Sequence, residues 1–153
     1  GRTASMPKTL HPFYDGLDSK YIKQIEAISE LMTYSAGEAL FRQGDPEDRI
    51  FLVHAGTVAI QAVAPGRNSK TIDTSGPGDY VGWSWIVAPF RAHYDAIAQE
   101  DVVVTAIDAN ALRDLCESNH ELGYRVLSRM VKLVEHRLQG TRLLLLDLYG
   151  TSQ

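Results

Sequence analysis

The spacing of apolar residues changes twice along the chain and divides it into three parts. In the first part, Asp18 or Ser19 can cap a helix. The apolar residues of this helix recur at helical spacing: Tyr21, Ile22, Ile25 and Ile28. After Tyr34, short apolar stretches are separated by glycine-rich turns, and from Ala109 onward a helical spacing returns without any proline.

The middle part predicts a succession of short strands. Its apolar stretches include 39–41, 50–53, 57–63, 92–98 and 102–107. Short strands at this spacing are typical of a sandwich or barrel. The predicted segments are an N-terminal helical segment at 6–34, a β-roll at 35–108 and C-terminal helices at 109–153. Residues 1–5 precede Met6, and we expect them to be a cloning remnant rather than native chain.

The last predicted helix, at about 120–148, carries the most regular pattern in the sequence. Its apolar seam has spacings of 4, 3, 4, 3, 4 and 3, which is a heptad repeat: Leu127, Val131, Val134, Leu138, Thr141, Leu145 and Leu148. A helix of this length spans about 43 Å, which is more than a small roll can cover. We therefore predict a parallel homodimer through this seam rather than a helix packed only on its own roll. Gly140 would let two helix backbones approach closely.

Composition and charge exclude several classes of protein. The net charge of −4 argues against a nucleic-acid surface, which needs clustered lysine and arginine. Cys116 is the only cysteine, so no internal disulfide forms. No apolar run reaches the roughly 18 residues of a membrane span, and the N-terminus lacks a secretory pattern. We predict a cytoplasmic protein that binds neither nucleic acid nor membrane directly.

Several segments together resemble one known family. The run at 35–46 (SAGEALFRQGDP), the stretch at 50–53 (IFLV) followed by Gly56, the turn at 76–79 (GPGD) and Gly82 occur in its order and spacing. This pattern resembles the cyclic-nucleotide-binding domains of Crp/Fnr-type sensors over most of residues 12–148. The resemblance implies an eight-stranded, jelly-roll-like β-roll with flanking helices and a long C-terminal dimerisation helix. Only 5 residues follow Leu148, so we expect a short stand-alone member without a helix-turn-helix.

In that family, the segment matching 76–98 is a phosphate-binding cassette. A Glu directly after the Gly82 position binds the ribose hydroxyl, and a later Arg pairs with the cyclic phosphate. Here Trp83 stands where the Glu is expected, and an ungapped match places Ala92, not Arg91, at the Arg position. The ribose contact alone is worth roughly tenfold to hundredfold in affinity, so binding of cyclic AMP or cyclic GMP is doubtful. The resemblance implies this ligand-binding set: Gly82, Trp83, Ser84, Trp85, Arg91, Ala92 and His93.

Two hypotheses for the cassette stay open. Trp83 and Trp85 either line a pocket for a cyclic nucleotide or another small anionic or planar ligand, or they plug it. The first hypothesis makes the chain a sensor that signals through its dimer helix, and the second makes it a ligand-free dimerisation or docking module. A cupin-like metal enzyme built on His93 and Asp95 is a distant third, because a polar pair at a strand edge explains these residues better.

We predict no catalytic residues, no metal and no certain cofactor, because the sequence lacks the motifs that carry such chemistry. The charged turn formed by Asp45, Glu47, Asp48 and Arg49 is expected to be a solvated loop. We also expect His11, His120 and His136 to lie on the surface.

Overall fold

The computed structural model describes residues 2–3 and 10–151, with side chains for residues 10–150. The predicted remnant at 1–5 lies outside the described residues apart from the short strand β1. The strands are β1 (Arg2–Thr3), β2 (Ser29–Tyr34), β3 (Ala39–Phe41), β4 (Arg49–Ala55), β5 (Val58–Ala62), β6 (Lys70–Ser75), β7 (Tyr80–Val81), β8 (Asp95–Ala98) and β9 (Val102–Asp108). The α-helices are α1 (Ser19–Glu26), α2 (Ala109–Ser118) and α3 (His120–Thr151), and 3-10 helices lie at Pro12–Tyr14 and Ser84–Ile86.

The strands form two antiparallel sheets that face each other. One sheet has the order β1-β2-β9-β4-β7 and the other the order β3-β8-β5-β6. Strands β2 to β9 are the eight strands of the roll, so the predicted eight-stranded jelly roll with a long C-terminal helix is confirmed. Asp18 caps α1 by accepting from the Lys20 backbone N–H, and Asp108 caps α2 by accepting from that of Ala111.

The predicted N-terminal helical segment at 6–34 is wrong in its last part. Residues 29–34 form strand β2, which pairs with β9 from Ser29 opposite Ile107 to Tyr34 opposite Val102. Leu31 and Met32 are adjacent and both buried, so this strand lacks the apolar–polar alternation that marks a strand with one solvated face. The predicted strand at 92–98 is also shorter, because β8 begins at Asp95.

Two apolar clusters hold these layers together. The first lies where the roll meets the helices and includes Phe13, Tyr21, Ile50, Trp85, Leu112, Leu122 and Val126. The second lies between the two sheets and includes Phe51, Val53, Val58, Ile60, Val81 and Val104. Helix α3 therefore completes the roll's core instead of standing apart from it.

One face of α3 packs on its own chain along most of the helix. The buried residues of this face are Leu122, Val126, Met130, Leu133 and Arg137. Farther along, a Cβ atom added at Gly140 would collide with the carbonyl oxygen of Ile72 in β6. The close approach predicted for Gly140 is therefore to this chain's own sheet, not to a second helix. Helix α3 also extends three residues beyond the predicted end at 148, to Thr151.

Among residues 2–3 and 10–151, no helix has the length and apolar character that crossing a membrane requires.

Candidate functional site

Gly82 sets the geometry at the start of the cassette. It follows β7 with a φ of 110°, a conformation that residues with side chains rarely adopt. A Cβ atom at this position would lie 2.6 Å from Oε1 of Glu47 and 3.1 Å from the carbonyl oxygen of Arg49. Gly82 therefore lets the cassette backbone lie directly against Glu47 and the start of β4.

A small cavity lies beside the 3-10 helix that follows Gly82, in the segment where the resemblance implies a ligand pocket. Its volume is about 10 Å³, room for about one water molecule. The lining residues come from both sheets, the cassette and α3: Phe41, Glu47, Ile60, Val81, Gly82, Trp83, Ser84, His93, Tyr94 and Arg137. In this conformation the pocket has no space for a nucleotide.

Two rings from the cassette close one side of the cavity. The rings of Trp83 and His93 are stacked, with centroids 4.7 Å apart and planes 19° from parallel. The Ser84 hydroxyl lies 2.8 Å from Nδ1 of His93 and fixes that ring in place. The indole Nε1 of Trp83 is buried and has no hydrogen-bond partner. Trp83 thus fills space in the pocket while leaving one of its own donors unsatisfied.

Trp85 does not line this cavity. Its side chain is 1% exposed and packs in the cluster between the roll and the helices. Its indole donates to the carbonyl oxygen of Gly82 at 3.2 Å, and its own carbonyl oxygen accepts from the Arg113 guanidinium of α2. The hypothesis that both indoles plug the pocket is therefore wrong for Trp85, because alternate residues of a helical turn point in different directions.

Arg91 and Ala92 also lie away from the cavity. Arg91 is exposed, and its guanidinium donates to the carbonyl oxygen of Gly44 at 2.9 Å. Ala92 is buried and exchanges backbone hydrogen bonds with Gly44 and Asp45. Of the predicted ligand-binding set, the structure brings Gly82, Trp83, Ser84 and His93 together and leaves out Trp85, Arg91 and Ala92.

The cation in the cavity wall is one that the sequence analysis missed. Arg137 projects from α3, is 3% exposed, and donates to the carboxylate of Asp73 in β6 and, at 3.4 Å, to the Ser75 hydroxyl. Asp73 also lies 2.9 Å from Nδ1 of His136. Burial lowers the pKa of the Arg137 guanidinium, and Asp73 opposes that shift. An arginine on the otherwise apolar inward face of a helix was the available signal.

Glu47 is the second charged group that was missed. It was expected in a solvated turn, yet it is 5% exposed and its Oε1 has no hydrogen-bond partner. Burial raises the pKa of its carboxyl to about 7, although hydrogen bonding from Ser84 and the charge of Arg137 act in the opposite direction. The pocket therefore contains a carboxyl group whose pKa lies near neutral pH.

His93 and Asp95 do not form the pair expected for a cupin-like site. Asp95 is buried, accepts from the Gln43 backbone N–H at 2.7 Å and lies 3.3 Å from the Arg42 guanidinium, while His93 stacks on Trp83. Across the part of the chain whose structure is described, no three His, Cys, Asp or Glu side chains are grouped so that they could hold a metal ion.

The seam predicted for dimerisation lies on the solvent side of α3. Its large apolar members are between 38% exposed, at Val134, and 63% exposed, at Leu138. Four of the seam residues each directly follow an inward-facing residue and so lie about 100° around the helix from it. These four pairs are Met130 and Val131, Leu133 and Val134, Arg137 and Leu138, and Leu144 and Leu145.

Comparison with known proteins agrees with this fold. The family model described as the cyclic nucleotide-binding domain matches residues 31–119. A CRP-like cAMP-activated global transcriptional regulator from Mycobacterium tuberculosis is 25% identical over 138 residues, which cover 90% of this chain and 60% of the relative. The chain thus spans less than two thirds of that regulator's length.

Solved structures show the same fold. A protein from Geobacter metallireducens described as cyclic nucleotide-binding superposes with a TM-score of 0.74 at 26% identity, covering 84% of this chain and 92% of that one. The sensor domain of the transcriptional regulator DNR from Pseudomonas aeruginosa superposes with a TM-score of 0.69 at 18% identity, covering 84% of this chain and 87% of that one.

The family consists of regulatory domains rather than enzymes. The family match covers more than half of the 153 residues, so this chain belongs to the cyclic nucleotide-binding domain family, the sensor type found in Crp-like regulators.

Proposed function

We propose that this chain is a cytoplasmic homodimeric sensor in which the state of the β-roll cavity sets the position of the dimer helix. The observation that carries this proposal is the placement of Arg137. It belongs to α3, yet its buried guanidinium lines the cavity and bonds to Asp73 of the sheet. Any ligand that displaces the Arg137 side chain must also change how α3 packs on β6.

The exposed seam of α3 supports the dimer. The helix buries one face on its own roll and presents a second apolar stripe to solvent, with Val131 and Leu138 each more than 60% exposed. A heptad seam of this kind is stabilised by pairing with an identical helix. Because the seam and the inward face share one rigid helix, a change at Arg137 reaches both.

A small ligand supplies the input in this proposal. Entry requires the stacked rings of Trp83 and His93 to separate, because the cavity has a volume of only about 10 Å³. His93 is the ring that can move into solvent, since it is the exposed member of the pair. Cyclic AMP and cyclic GMP are disfavoured because the cavity has no acidic residue at position 83 and Arg91 lies outside it.

A second candidate function rests on the small cavity volume. A pocket filled by Trp83, His93 and Arg137 has the packing of a core, so the domain can serve as a dimerisation or docking module that takes no ligand. This module keeps the α3 dimer but loses the sensing step.

Titration of the full chain with cyclic AMP, cyclic GMP and cyclic di-GMP separates the two functions. The indole Nε1–H signals of Trp83 and Trp85 are followed by NMR, and the dimer dissociation constant is measured with and without each compound. A sensor shows a shift of the Trp83 signal together with a changed dissociation constant, because binding and dimerisation are then thermodynamically linked. If none of the three compounds shifts the Trp83 signal, the result favours the ligand-free module over a sensor of these compounds.

A further inference from the structure

The cavity has no net positive charge to offer an anion. Arg137 is the cation in its wall, and its guanidinium is already paired with Asp73. Arg91 lies outside, bonded to Gly44. With Glu47 ionised, Glu47 and Arg137 in the wall and Asp73 behind Arg137 sum to −1. A ligand that carries a phosphate would therefore add a second uncompensated negative charge to a buried site, which is strongly unfavourable.

The unsatisfied polar atoms of the cavity point to a ligand that donates hydrogen bonds. Glu47 is 5% exposed, and although Ser84 hydrogen-bonds to its carboxyl group, the oxygen Oε1 is buried without a hydrogen-bond partner. Buried polar atoms in native proteins nearly always have a partner, so an unpartnered carboxylate oxygen on a residue that lines the cavity marks a position for a donor. A cationic donor also removes the uncompensated charge of the carboxylate.

The remaining walls suit the same chemistry. Phe41, Trp83 and Tyr94 line the cavity, and the Trp83 and Tyr94 ring centroids lie 6.4 Å apart at an angle of 62°. Trp83 already stacks on one planar nitrogen heterocycle, the imidazole of His93. Aromatic faces attract cations, and a carboxylate beside them strengthens the attraction in a desolvated site.

We propose that the cavity binds a small planar organic cation, such as an amidinium or guanidinium compound, which takes the place of the His93 ring on Trp83 and donates to Glu47. This assignment rests on the proposed sensor function and names the chemical class of its ligand. In it, Glu47 recognises the charge and Trp83 recognises the planar shape.

Three planar probes of nearly the same shape test the charge preference: benzamidinium (+1), benzamide (neutral) and benzoate (−1). Each is titrated into the full chain at pH 8, and the indole Nε1–H signal of Trp83 is followed by NMR, with the Trp85→Phe variant used to assign it. We expect benzamidinium to bind at least about tenfold more tightly than benzamide. This factor is the lower end of the range for a hydrogen bond to a charged group. Benzoate should leave the signal unchanged.

Glu47→Gln is the decisive variant, and Glu117→Gln on the exposed surface of α2 is its matched control. Glu47→Gln should reduce benzamidinium to the affinity of benzamide, whereas Glu117→Gln should not. The inference is overturned if benzoate or cyclic AMP binds more tightly than benzamidinium, or if none of the three probes shifts the Trp83 signal.

If cyclic AMP binds and changes the dimer dissociation constant, the cation inference falls while the sensor function stands. If benzamidinium binds but the dimer is unaffected, the ligand class stands and the signalling role falls.

Discussion

Gly140 in α3 and Ile72 in β6 are in such close contact that a methyl group on Gly140 would collide with the Ile72 carbonyl oxygen. This contact lies one turn beyond Arg137, the residue that joins α3 to the cavity. The helix is thus held against the roll on both sides of Arg137, by the hydrogen bond from the Tyr80 hydroxyl to the Arg129 carbonyl oxygen before it and by Gly140 after it. Movement of the Arg137 side chain therefore breaks its hydrogen bonds to Asp73 and Ser75 and removes a contact between α3 and β6.

Replacement of Gly140 by Ala should therefore destabilise the protein, although Ala is the better helix former. We expect a loss of about 1–3 kcal/mol in the free energy of unfolding, the usual cost of overpacking. Gly150→Ala is the control, because a Cβ atom there has no neighbour within 4 Å, and it should stabilise by up to about 1 kcal/mol. Urea denaturation at one fixed chain concentration measures both. Equal effects of the two substitutions would contradict the close contact.

The Glu47 carboxyl should make stability fall as pH rises. Its pKa is raised to about 7 in the folded protein from an ordinary value of 4.5, so the folded state holds a proton that the unfolded state releases between these two values. Unfolding is therefore favoured as pH rises from about 4.5 through about 7. Glu47→Gln should be more stable than the parent protein at pH 8 and should show a flatter pH profile in this window. If the difference in stability between the parent protein and Glu47→Gln is the same at pH 5 and pH 8, the raised pKa of Glu47 is ruled out.

His11 should act in the opposite direction at acidic pH. It was expected at the surface, but it is buried, with Nε2 placed 3.0 Å from the carbonyl oxygens of both Val53 and Asp79 and with Nδ1 accepting from the Phe13 backbone N–H at 2.9 Å. This arrangement requires the neutral ring. Burial lowers the pKa of the folded-state imidazole below its usual 6.5, so the unfolded state binds the proton first and stability falls as pH drops below about 6.5.

His11→Ala should cost about 2–4 kcal/mol at pH 8, because it removes a buried side chain together with its hydrogen bonds. It should also reduce the loss of stability between pH 7 and pH 5. His120→Ala changes an exposed residue and serves as the control. Thermal unfolding over this pH range provides the measurement, and identical acid sensitivity with and without His11 would exclude its role.

The fold could be predicted because its signals are local. The turn glycines and the Asp18 cap each act within a few residues, and the apolar seam of α3 repeats every seven residues, so neither signal depends on distant parts of the chain. Strand β2 was missed because its neighbouring residues Leu31 and Met32 are both buried, which hides the spacing of a strand.

The cavity was harder to predict because its charged groups come from distant parts of the chain. Glu47 precedes β4, Asp73 lies in β6 and Arg137 lies in α3, and only the packing of α3 on the sheet brings them together. Trp83 and Trp85 were expected to share the pocket, but around the 3-10 helix at Ser84–Ile86 their side chains diverge, so Trp83 lines the cavity while Trp85 packs in the cluster between the roll and the helices. Motif spacing therefore located the cassette without identifying which of its side chains face the cavity.

The central claim, that the exposed seam of α3 pairs two copies of the chain, is tested most directly by the mass in solution. Sedimentation equilibrium of the parent protein should give twice the mass of one 153-residue chain. Leu138→Glu should convert it to the monomer, because a charge at the centre of a heptad seam is desolvated on pairing. Leu143→Glu, at a position 65% exposed on another face of the same helix, should leave the dimer intact. A parent protein with the mass of one chain at every concentration would contradict the account.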